Sequence, residues 1–312
     1  MFCSLVTATA YIRKMRGGAQ AHLLQGDDGH TYVVKFQNNP QHRRVLINEF
    51  IASAILKYLD IYSPEIAIMQ VDEAFLRQNP DVYISLKHGN TTVQCGPHFA
   101  SRHPGNPSKT PVYDFLPDAM LRQVLNLHHF LGMLVFDKWV SNLDYRQSIF
   151  FRSRVRFGAG PAQLGFAAAM IDNGFVFGGA EWAFSEAPLT GLHANRAVYR
   201  DAQSMDDFEP WLHQIARFPE DLLRRACQAI PAEWLATDRY ALEQMLERLL
   251  RRRARISDLV QSCWREMKEA DGANAHPRLR PPSVEKKDMG SASRSTSLQY
   301  NHDLVAAMVL GQ

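Results

Sequence analysis

The chain has 312 residues, 46% of them hydrophobic, which is enough to bury a core in one large domain or two small ones. Its 35 Lys and Arg residues nearly balance its 32 Asp and Glu residues, and the formal net charge is +3. This balance argues against general binding to nucleic acid or to an acidic membrane surface, so any basic patch must be local.

The cysteines and the amino-terminal residues bear on location. The four cysteines are far apart and form no CxxC pair, so they indicate neither a zinc site nor a disulfide framework. The first residues lack the basic and long apolar regions of an export signal. The most apolar run, 130–136, is far shorter than the roughly 20 residues of a membrane span. We therefore expect a cytoplasmic protein with no membrane anchor.

The amino-terminal region predicts a small lobe with a β-hairpin and one helix. Two strands are predicted between residues 19 and 37, separated by the turn-forming cluster 26–29. Apolar residues at helical spacing over 45–58 then predict an amphipathic helix that packs against the hairpin. Residues 64–85 are strand-prone in places, while 87–111 are rich in turn-forming residues. We expect the join between two lobes in that last segment.

The second lobe is predicted to begin with a buried helix. Residues 120–139 are apolar nearly all round the helical wheel, which is typical of a helix buried on most sides. A polar loop at 141–147 follows, and then two strands at 148–157 and 164–171 are separated by a Gly/Pro turn at 158–161. This pattern returns the chain to the neighbourhood of the polar loop.

Helical patterns dominate the rest of the chain up to residue 267, and beyond Lys268 the composition changes to one typical of a disordered tail. The predicted fold class is α+β, with a small antiparallel-sheet lobe plus one helix and a larger, mainly helical lobe. The predicted division is a small lobe at 1–85, an irregular connection at 86–119, a large lobe at 120–267 and a tail at 268–312.

Several charged residues in the small lobe suit phosphoryl transfer, which requires a cation on the phosphates and oxygen ligands for magnesium. Lys35 lies in a strand whose alternation directs its side chain towards a cleft. Glu49 lies 14 residues later on the predicted helix, where its carboxylate can orient the ammonium group of Lys35. Gly17 and Gly18 allow the backbone to approach phosphates closely, because glycine has no side chain.

The large lobe supplies the remaining groups. Asp144 lies in the polar loop and is predicted to be the catalytic base, while Arg146 can offset charge on the transferred group. Asp172 ends the second strand 28 residues after Asp144 and is predicted to ligate magnesium. Taken singly, each residue has an ordinary structural explanation, such as a solvated lysine or a turn aspartate. Their joint order favours the functional interpretation.

Other polar residues have ordinary explanations. Asp137 on the buried helix either braces the loop or bonds to backbone, since a buried carboxylate requires a partner. His128 and His129 are adjacent on a helix and diverge by about 100 degrees, so core and rim positions are favoured over a metal site. The arginine run 251–255 continues an amphipathic helix and is predicted to be a solvated face, although it could contact nucleic acid.

These motifs resemble the HipA-like kinase family, whose members are related to protein kinases and phosphatidylinositol kinases. The resemblance covers approximately residues 12–265 and rests on RGGAQAHLLQGDDGHTYVVKFQNN, NEFIAS, FDKWVSNLDYRQSIFFR, MIDNGFVFGG and IPAEWLATDRYALEQMLERLLRRR. It implies dependence on ATP and Mg2+, a Ser/Thr acceptor, and a kinase fold with a five-stranded small lobe and a helical large lobe.

The resemblance also implies roles for single residues. By this match, Lys35 is the ATP-phosphate lysine, Glu49 its helix partner, Asp144 the catalytic aspartate, Asp172 the metal aspartate, and Asn142 the asparagine often found just ahead of the catalytic aspartate. One position departs from the pattern: kinases place a metal-binding asparagine five residues after the catalytic aspartate, where this chain has Ile149. Gln147 carries the same amide group and is predicted to supply the oxygen instead.

The sequence leaves alternatives to an active Ser/Thr protein kinase open. The missing asparagine favours a nucleotide-binding pseudokinase that acts through protein contacts. A lipid headgroup or a small molecule is also possible as acceptor, because such kinases share the phosphate-handling parts and differ in the outer cleft. A protein acceptor is the first expectation, and nucleic acid is the least favoured partner.

Overall fold

A computed structural model describes residues 3–157 and 160–274. Residues up to Asp271 form one compact unit, and the described part of a second unit, which begins at Gly272, is the end of a helix. The predicted tail begins inside this helix, so residues 268–274 are helical, and the remainder of the tail lies outside the described residues. Within the described ranges, no helix has both the length and the apolar composition needed to cross a bilayer.

All the described strands lie before residue 172, most of them paired antiparallel, and the described chain after that point is helical or irregular, which confirms the α+β class. The strands are β1 (Ser4–Lys14), β2 (His22–Gly26), β3 (Thr31–Lys35), β4 (Ile66–Val71), β5 (Tyr83–Leu86), β6 (Gly89–Thr92), β7 (Gly96–Arg102), β8 (Val112–Tyr113), β9 (Gln147–Val155) and β10 (Gln163–Ile171). The α-helices are α1 (Arg44–Tyr58), α2 (Glu73–Gln78), α3 (Asp118–Leu121), α4 (His129–Val140), α5 (Glu209–Ala216), α6 (Glu220–Gln228), α7 (Ala232–Leu235), α8 (Arg239–Arg252) and α9 (Ile256–Asn274).

The small lobe is a closed barrel with the strand order β1-β2-β3-β7-β4. The predicted hairpin is confirmed, because β2 and β3 pair antiparallel with Leu24 opposite Tyr32. The sheet departs from a wholly antiparallel arrangement at one pairing, since β1 runs parallel to β4 with Val6 opposite Met69. That pairing joins the first and last strands of the order, so it closes the barrel and leaves no free edge.

Strand β7 lies inside the segment for which the sequence predicts an irregular connection, 86–119. It pairs on one side with β3, where Lys35 is opposite Phe99, and on the other with β4, where Ile68 is opposite Phe99. A strand paired on both sides is stabilised by its neighbours, which the weak β propensity of the motif GPHFASR does not reveal. The boundary between the lobes stays a prediction, but the small-lobe sheet extends to Arg102.

The helix predicted at 120–139 is shorter than expected. The buried part is confirmed as α4, which is buried along its whole length, but residues 122–128 form turns. Asn126 explains the difference, because its buried side chain donates to the carbonyl of Ala168 at 2.8 Å and accepts from the amide of Ala168 at 2.9 Å. The neighbouring backbone also pairs with β10, from the amide of Leu125 to the carbonyl of Phe166 at 2.8 Å. Backbone groups used in this way are lost to a helix.

The arginine run at 251–255 is only partly the solvated face that the sequence predicts. Arg251 is exposed, whereas Arg252 is buried with 9% of its surface accessible. The guanidinium of Arg252 donates to the carbonyls of Trp139 and Lys138 at 2.9 Å each. It therefore satisfies the free carbonyls in the last turn of α4, where a cation is also favoured by the helix dipole.

Trp234 joins the helical lobe to the small-lobe barrel. Its side chain is fully buried, its Nε1 donates to the carbonyl of Pro97 at 2.8 Å, and its ring lies 6.1 Å from that of Phe50 in an edge-to-face arrangement. The indole thus connects α7 to the start of β7 and to α1.

We expect Trp234→Ala to lower the free energy of unfolding by about 3–5 kcal/mol, because it removes a large buried ring and leaves a cavity. Trp234→Phe keeps the ring contact but not the donor to Pro97, and it should cost about 1–3 kcal/mol. Denaturant titration followed by circular dichroism measures both. Equal losses for the two variants would contradict the bridging role of the ring.

Candidate functional site

Three of the residues singled out in the sequence meet at one point. Lys35 is the last residue of β3, and its Nζ donates to Glu49 Oε1 on α1 and to Asp172 Oδ1 at 2.7 Å. The side chains of Lys35 and Glu49 are 11% and 5% exposed, whereas that of Asp172 is 32% exposed. The cation is therefore enclosed on the α1 side, while the carboxylate of Asp172 keeps an open side.

The charges of this group stabilise one another. Burial by itself lowers the pKa of Lys35, but Glu49 and Asp172 outweigh it, and the pKa of the amine lies above its ordinary value. For Asp172, burial raises the pKa, and the positive charge and hydrogen bond of Lys35 outweigh that effect, so the pKa lies below its ordinary value. At neutral pH the site thus contains an ammonium group and an ionised carboxylate.

Helix α1 also holds the segment that follows Asp172. Asn48, which precedes Glu49, is fully buried, and its Nδ2 donates to the carbonyl of Gly174 at 2.8 Å. Its Oδ1 accepts a hydrogen bond from Trp182 Nε1 at 2.8 Å. The sequence interpretation did not single out Asn48, although a polar residue beside the apolar positions of NEFIAS was a visible signal. One helix therefore positions both Glu49 and the chain after Asp172.

Asp172 itself has an unusual backbone. Its φ is 57°, in the left-handed region, where Asp and Asn are among the better-tolerated residues other than glycine. This conformation ends β10 and turns the chain towards α1. Gly174 follows, and a Cβ there would lie 2.6 Å from Val45 Cγ1, so glycine allows the close approach to the helix.

Asp144 lies in the loop between α4 and β9 and is half-buried. Its amide donates to Asn142 Oδ1 at 3.1 Å, and its own Oδ1 accepts from the amide of Tyr145 at 2.7 Å. The adjacent amide of Leu143 donates to the carbonyl of Phe175 at 3.1 Å, which places this loop beside the segment that follows Asp172. The two predicted functional aspartates thus lie on neighbouring segments.

Arg146 does not lie where the sequence interpretation expects it. Its side chain is 0% exposed and forms an ion pair with Asp137, with 2.6 Å between NH2 and Oδ1. Its NH1 donates to the carbonyl of Ile171 at 2.7 Å and to Asn173 Oδ1 at 3.0 Å. Because its donors already point at protein groups in the interior, the expected contact with the transferred group is corrected to an internal contact.

Gln147 is better placed than Ile149 for the amide that kinases supply. Gln147 is exposed, is the first residue of β9 and lies opposite Ile171, the residue before Asp172. Ile149 lies further along the strand, opposite Ala169, and its apolar side chain offers no metal ligand. The register thus brings one amide to the same end of the hairpin as the carboxylate of Asp172.

Gly17 and Gly18 lie in the loop between β1 and β2, because the chain begins with a strand that precedes the predicted hairpin. Both glycines are exposed, and Gly17 has a φ of 117°. The amide of Gln20 donates to the carbonyl of Gly17 at 3.1 Å, which closes a turn. A Cβ on Gly18 would lie 2.6 Å from Gln41 Nε2, so the loop approaches the turn between β3 and α1.

The donor set fits a divalent cation that is shared with phosphate. Within the described residues, no group of three or more His, Cys, Asp or Glu side chains could hold a metal by itself. Asp172 offers carboxylate oxygen, and Gln147 offers amide oxygen at the same hairpin end. Magnesium is commonly bound in this way, through one or two carboxylates together with waters and the phosphates of a substrate.

Comparison with known proteins gives one family match. Residues 9–150 match the family model described as "HipA-like kinase", which confirms the resemblance over a range that includes Lys35, Glu49 and Asp144. No curated protein matches the chain in sequence. The family match supports a kinase-type phosphotransferase.

Three solved structures match the chain at low sequence identity. The Helicobacter pylori proinflammatory kinase CtkA is 13% identical with a TM-score of 0.49, and 86% of this chain and 99% of that chain are covered. Hydra Fam20 with sugar is 13% identical with a TM-score of 0.43, covering 86% and 87%. The Golgi casein kinase with Mn/ADP bound is 11% identical with a TM-score of 0.41, covering 86% and 74%.

The pKa of Asp172 tests the observed ion pair without any nucleotide. In the wild-type protein it should lie below the ordinary aspartate value of about 3.9, and in Lys35→Met it should rise, because burial remains after the cation is lost. Its contribution to stability should accordingly be present above about pH 3.9 and be lost as pH falls through the lowered folded-state pKa.

Carboxyl carbon NMR titration measures this change, with the Asp172 signal assigned from its absence in Asp172→Asn. Asp238 is an internal control, because its pKa is lowered by a hydrogen bond from Arg44 rather than from Lys35. An Asp172 titration that does not move in Lys35→Met would refute the ion pair.

Proposed function

We propose that this chain is an ATP- and Mg2+-dependent phosphotransferase of the HipA-like kinase type that acts on a Ser or Thr hydroxyl of a protein. The observation that carries the proposal is the position of Lys35 Nζ between Glu49 and Asp172, 2.7 Å from the Asp172 carboxylate. We also propose a cytoplasmic location, which the four free cysteines support.

In this proposal, Lys35 binds the phosphates of ATP. Its amine is charged and is oriented by Glu49 from the enclosed side, so it can turn a donor towards a phosphate oxygen without losing its partner. Gly17 and Gly18 form the loop that covers the phosphates. Asp172 and Gln147 hold the metal ion, which supplies positive charge to the phosphoryl oxygens when it is bound.

Asp144 is the proposed base for the acceptor hydroxyl. Its carboxylate accepts the hydroxyl proton as the oxygen bonds to the γ-phosphorus, and the bond from that phosphorus to the β,γ-bridging oxygen breaks, so ADP leaves with the electron pair. Asn142 supports this role because its Oδ1 accepts a hydrogen bond from the amide of Asp144 at 3.1 Å, which fixes the start of the loop. Both aspartates are therefore required for turnover, but only Asp172 is required for metal binding.

A nucleotide-binding pseudokinase is a second candidate function. The observation in its favour is Ile149, which stands at the position of the usual metal-binding asparagine, while the longer side chain of Gln147 lies two residues earlier. A lipid headgroup or small-molecule hydroxyl is the alternative acceptor for an active enzyme, since the same phosphate-handling residues would serve it.

Transfer of label from γ-labelled ATP, with Mg2+ and with or without cell lysate, tests the proposal. Asp144→Ala and Asp172→Ala should each lower the rate at least about 100-fold, because each removes a group that acts in the transition state. Asp201→Ala is the matched control, since its side chain is 75% exposed and lies outside the site, and it should retain the wild-type rate.

Mass spectrometry of the labelled species identifies the acceptor as protein, lipid or small molecule. Equal label transfer by wild type and both aspartate variants would contradict the proposed chemistry. Stabilisation of the wild-type protein by ATP with no transfer to any acceptor would favour the pseudokinase.

A further inference from the structure

One buried ion pair is linked by hydrogen bonds to the segments of both predicted functional aspartates. Asp137 near the end of α4 and Arg146 at the end of the 141–147 loop each have side chains that are 0% exposed. Two parallel bonds join them: Arg146 NH2 donates to Asp137 Oδ1 at 2.6 Å and Arg146 Nε donates to Asp137 Oδ2 at 3.0 Å. This bidentate geometry fixes the guanidinium in orientation as well as in distance.

The second edge of the Arg146 guanidinium reaches the segment that carries Asp172. NH1 donates to the carbonyl of Ile171 at 2.7 Å, to the carbonyl of Asp172 at 3.4 Å and to Asn173 Oδ1 at 3.0 Å. The residues on both sides of Asp172 are therefore attached to α4 through one side chain. The backbone of Asp172 is left-handed, a conformation that aspartate does not adopt by preference. The hydrogen bonds from Arg146 therefore also hold this turn.

The Asp137 carboxylate reaches the other functional aspartate through Asn142. Asn142 Nδ2 donates to Asp137 Oδ1 at 3.0 Å, and Asn142 Oδ1 accepts the amide of Asp144 at 3.1 Å. The carboxylate of Asp137 accepts three hydrogen bonds, two from Arg146 and one from Asn142, and an acceptor-only role suits its ionised form. Burial raises the pKa of Asp137 above its ordinary value, and Arg146 and Asn142 oppose that rise.

We propose that Asp137 and Arg146 are positioning residues that set the spacing between Asp144 and Asp172. This inference rests on the proposed function. The path runs from Asp144 through Asn142 to Asp137, and from Asp137 through Arg146 to the backbone at Asp172. Both side chains are 0% exposed and bond to protein groups, so they act only through the residues they hold.

Removing one partner is a poor test, because it leaves an unpaired charge in the interior and can unfold the protein. The double variant Asp137→Leu with Arg146→Met removes both charges and fills the same space with apolar atoms. Such replacements of a buried ion pair are often neutral for stability. The double variant has no unpaired buried charge and should therefore fold, although the carbonyl of Ile171 and the side chains of Asn142 and Asn173 each lose a partner. It has lost the links to Asp144 and Asp172.

Steady-state kinetics of the folded double variant test the positioning role. We expect kcat to fall about 100-fold, because small misplacements of reacting groups cost about that much. We expect KM for ATP to rise by a smaller factor than kcat falls, because Lys35 and Glu49 are untouched and only the metal contact through Asp172 is weakened. A folded double variant with the wild-type kcat would overturn the proposal and leave the pair a purely structural contact.

A binding measurement adds a readout that does not depend on turnover. In the wild type, Mg2+ should increase the thermal stabilisation given by ADP, whereas in the double variant ADP alone should stabilise as before and the increment from Mg2+ should be lost. An unchanged increment would count against a link to Asp172. Asn142→Ala separates the two links: it should lower kcat about tenfold while leaving the Mg2+ increment intact.

The control is Arg253→Met in the helical lobe. Arg253 also bridges backbone and a carboxylate, donating to the carbonyls of Leu250 and Phe218 and to Glu220 at 2.7–3.0 Å, and it is partly buried. Its loss should lower stability without lowering kcat. A wild-type protein that neither transfers phosphate nor responds to Mg2+ with ADP would overturn the proposed function itself, whereas an active wild type with an equally active double variant would overturn only this inference.

Discussion

One ammonium group between two carboxylates is the interaction on which the candidate site depends. Lys35, Glu49 and Asp172 come from β3, from α1 and from the end of β10, and only tertiary folding brings them together. Burying a lone amine is unfavourable, so the two carboxylates are needed to keep it charged. The group carries one more negative than positive charge. A divalent cation that entered with a triphosphate would offset this negative charge, which is the physical basis of the proposed Mg2+ dependence.

Two supports hold this group in place. The first is helix α1, which carries Glu49 and also fixes the chain after Asp172 through Asn48. The second is the buried ion pair of Asp137 and Arg146, which fixes the backbone at Asp172. Both supports consist of buried polar side chains whose hydrogen bonds go to backbone groups and to other side chains of the protein. Such networks are rigid when they are satisfied, and a site for phosphoryl transfer requires rigid positioning more than it requires reactive groups.

The sequence predicts the local elements of this site better than their contacts. The hairpin of β2 and β3, helix α1 and the strands β9 and β10 follow from periodicity and turn residues, and they carry Lys35, Glu49 and Asp172. Strand β7 and the turns at 122–128 were missed, because their pairing with distant strands outweighs their local propensity. The sequence predicts that Arg146 faces the cleft, because an arginine in a polar loop next to an aspartate has the pattern of an exposed residue. Only the packing against α4 shows that it is buried.

A crystal structure with Mg2+ and a non-hydrolysable ATP analogue is the most direct test of the convergence at Lys35. The account predicts that Lys35 Nζ lies about 3 Å from a phosphate oxygen while keeping its contact with Glu49. It also predicts that an oxygen of Asp172 coordinates the metal ion at about 2.1 Å. Nucleotide bound elsewhere, with Lys35 still paired to Asp172 and no phosphate between the lobes, would contradict it.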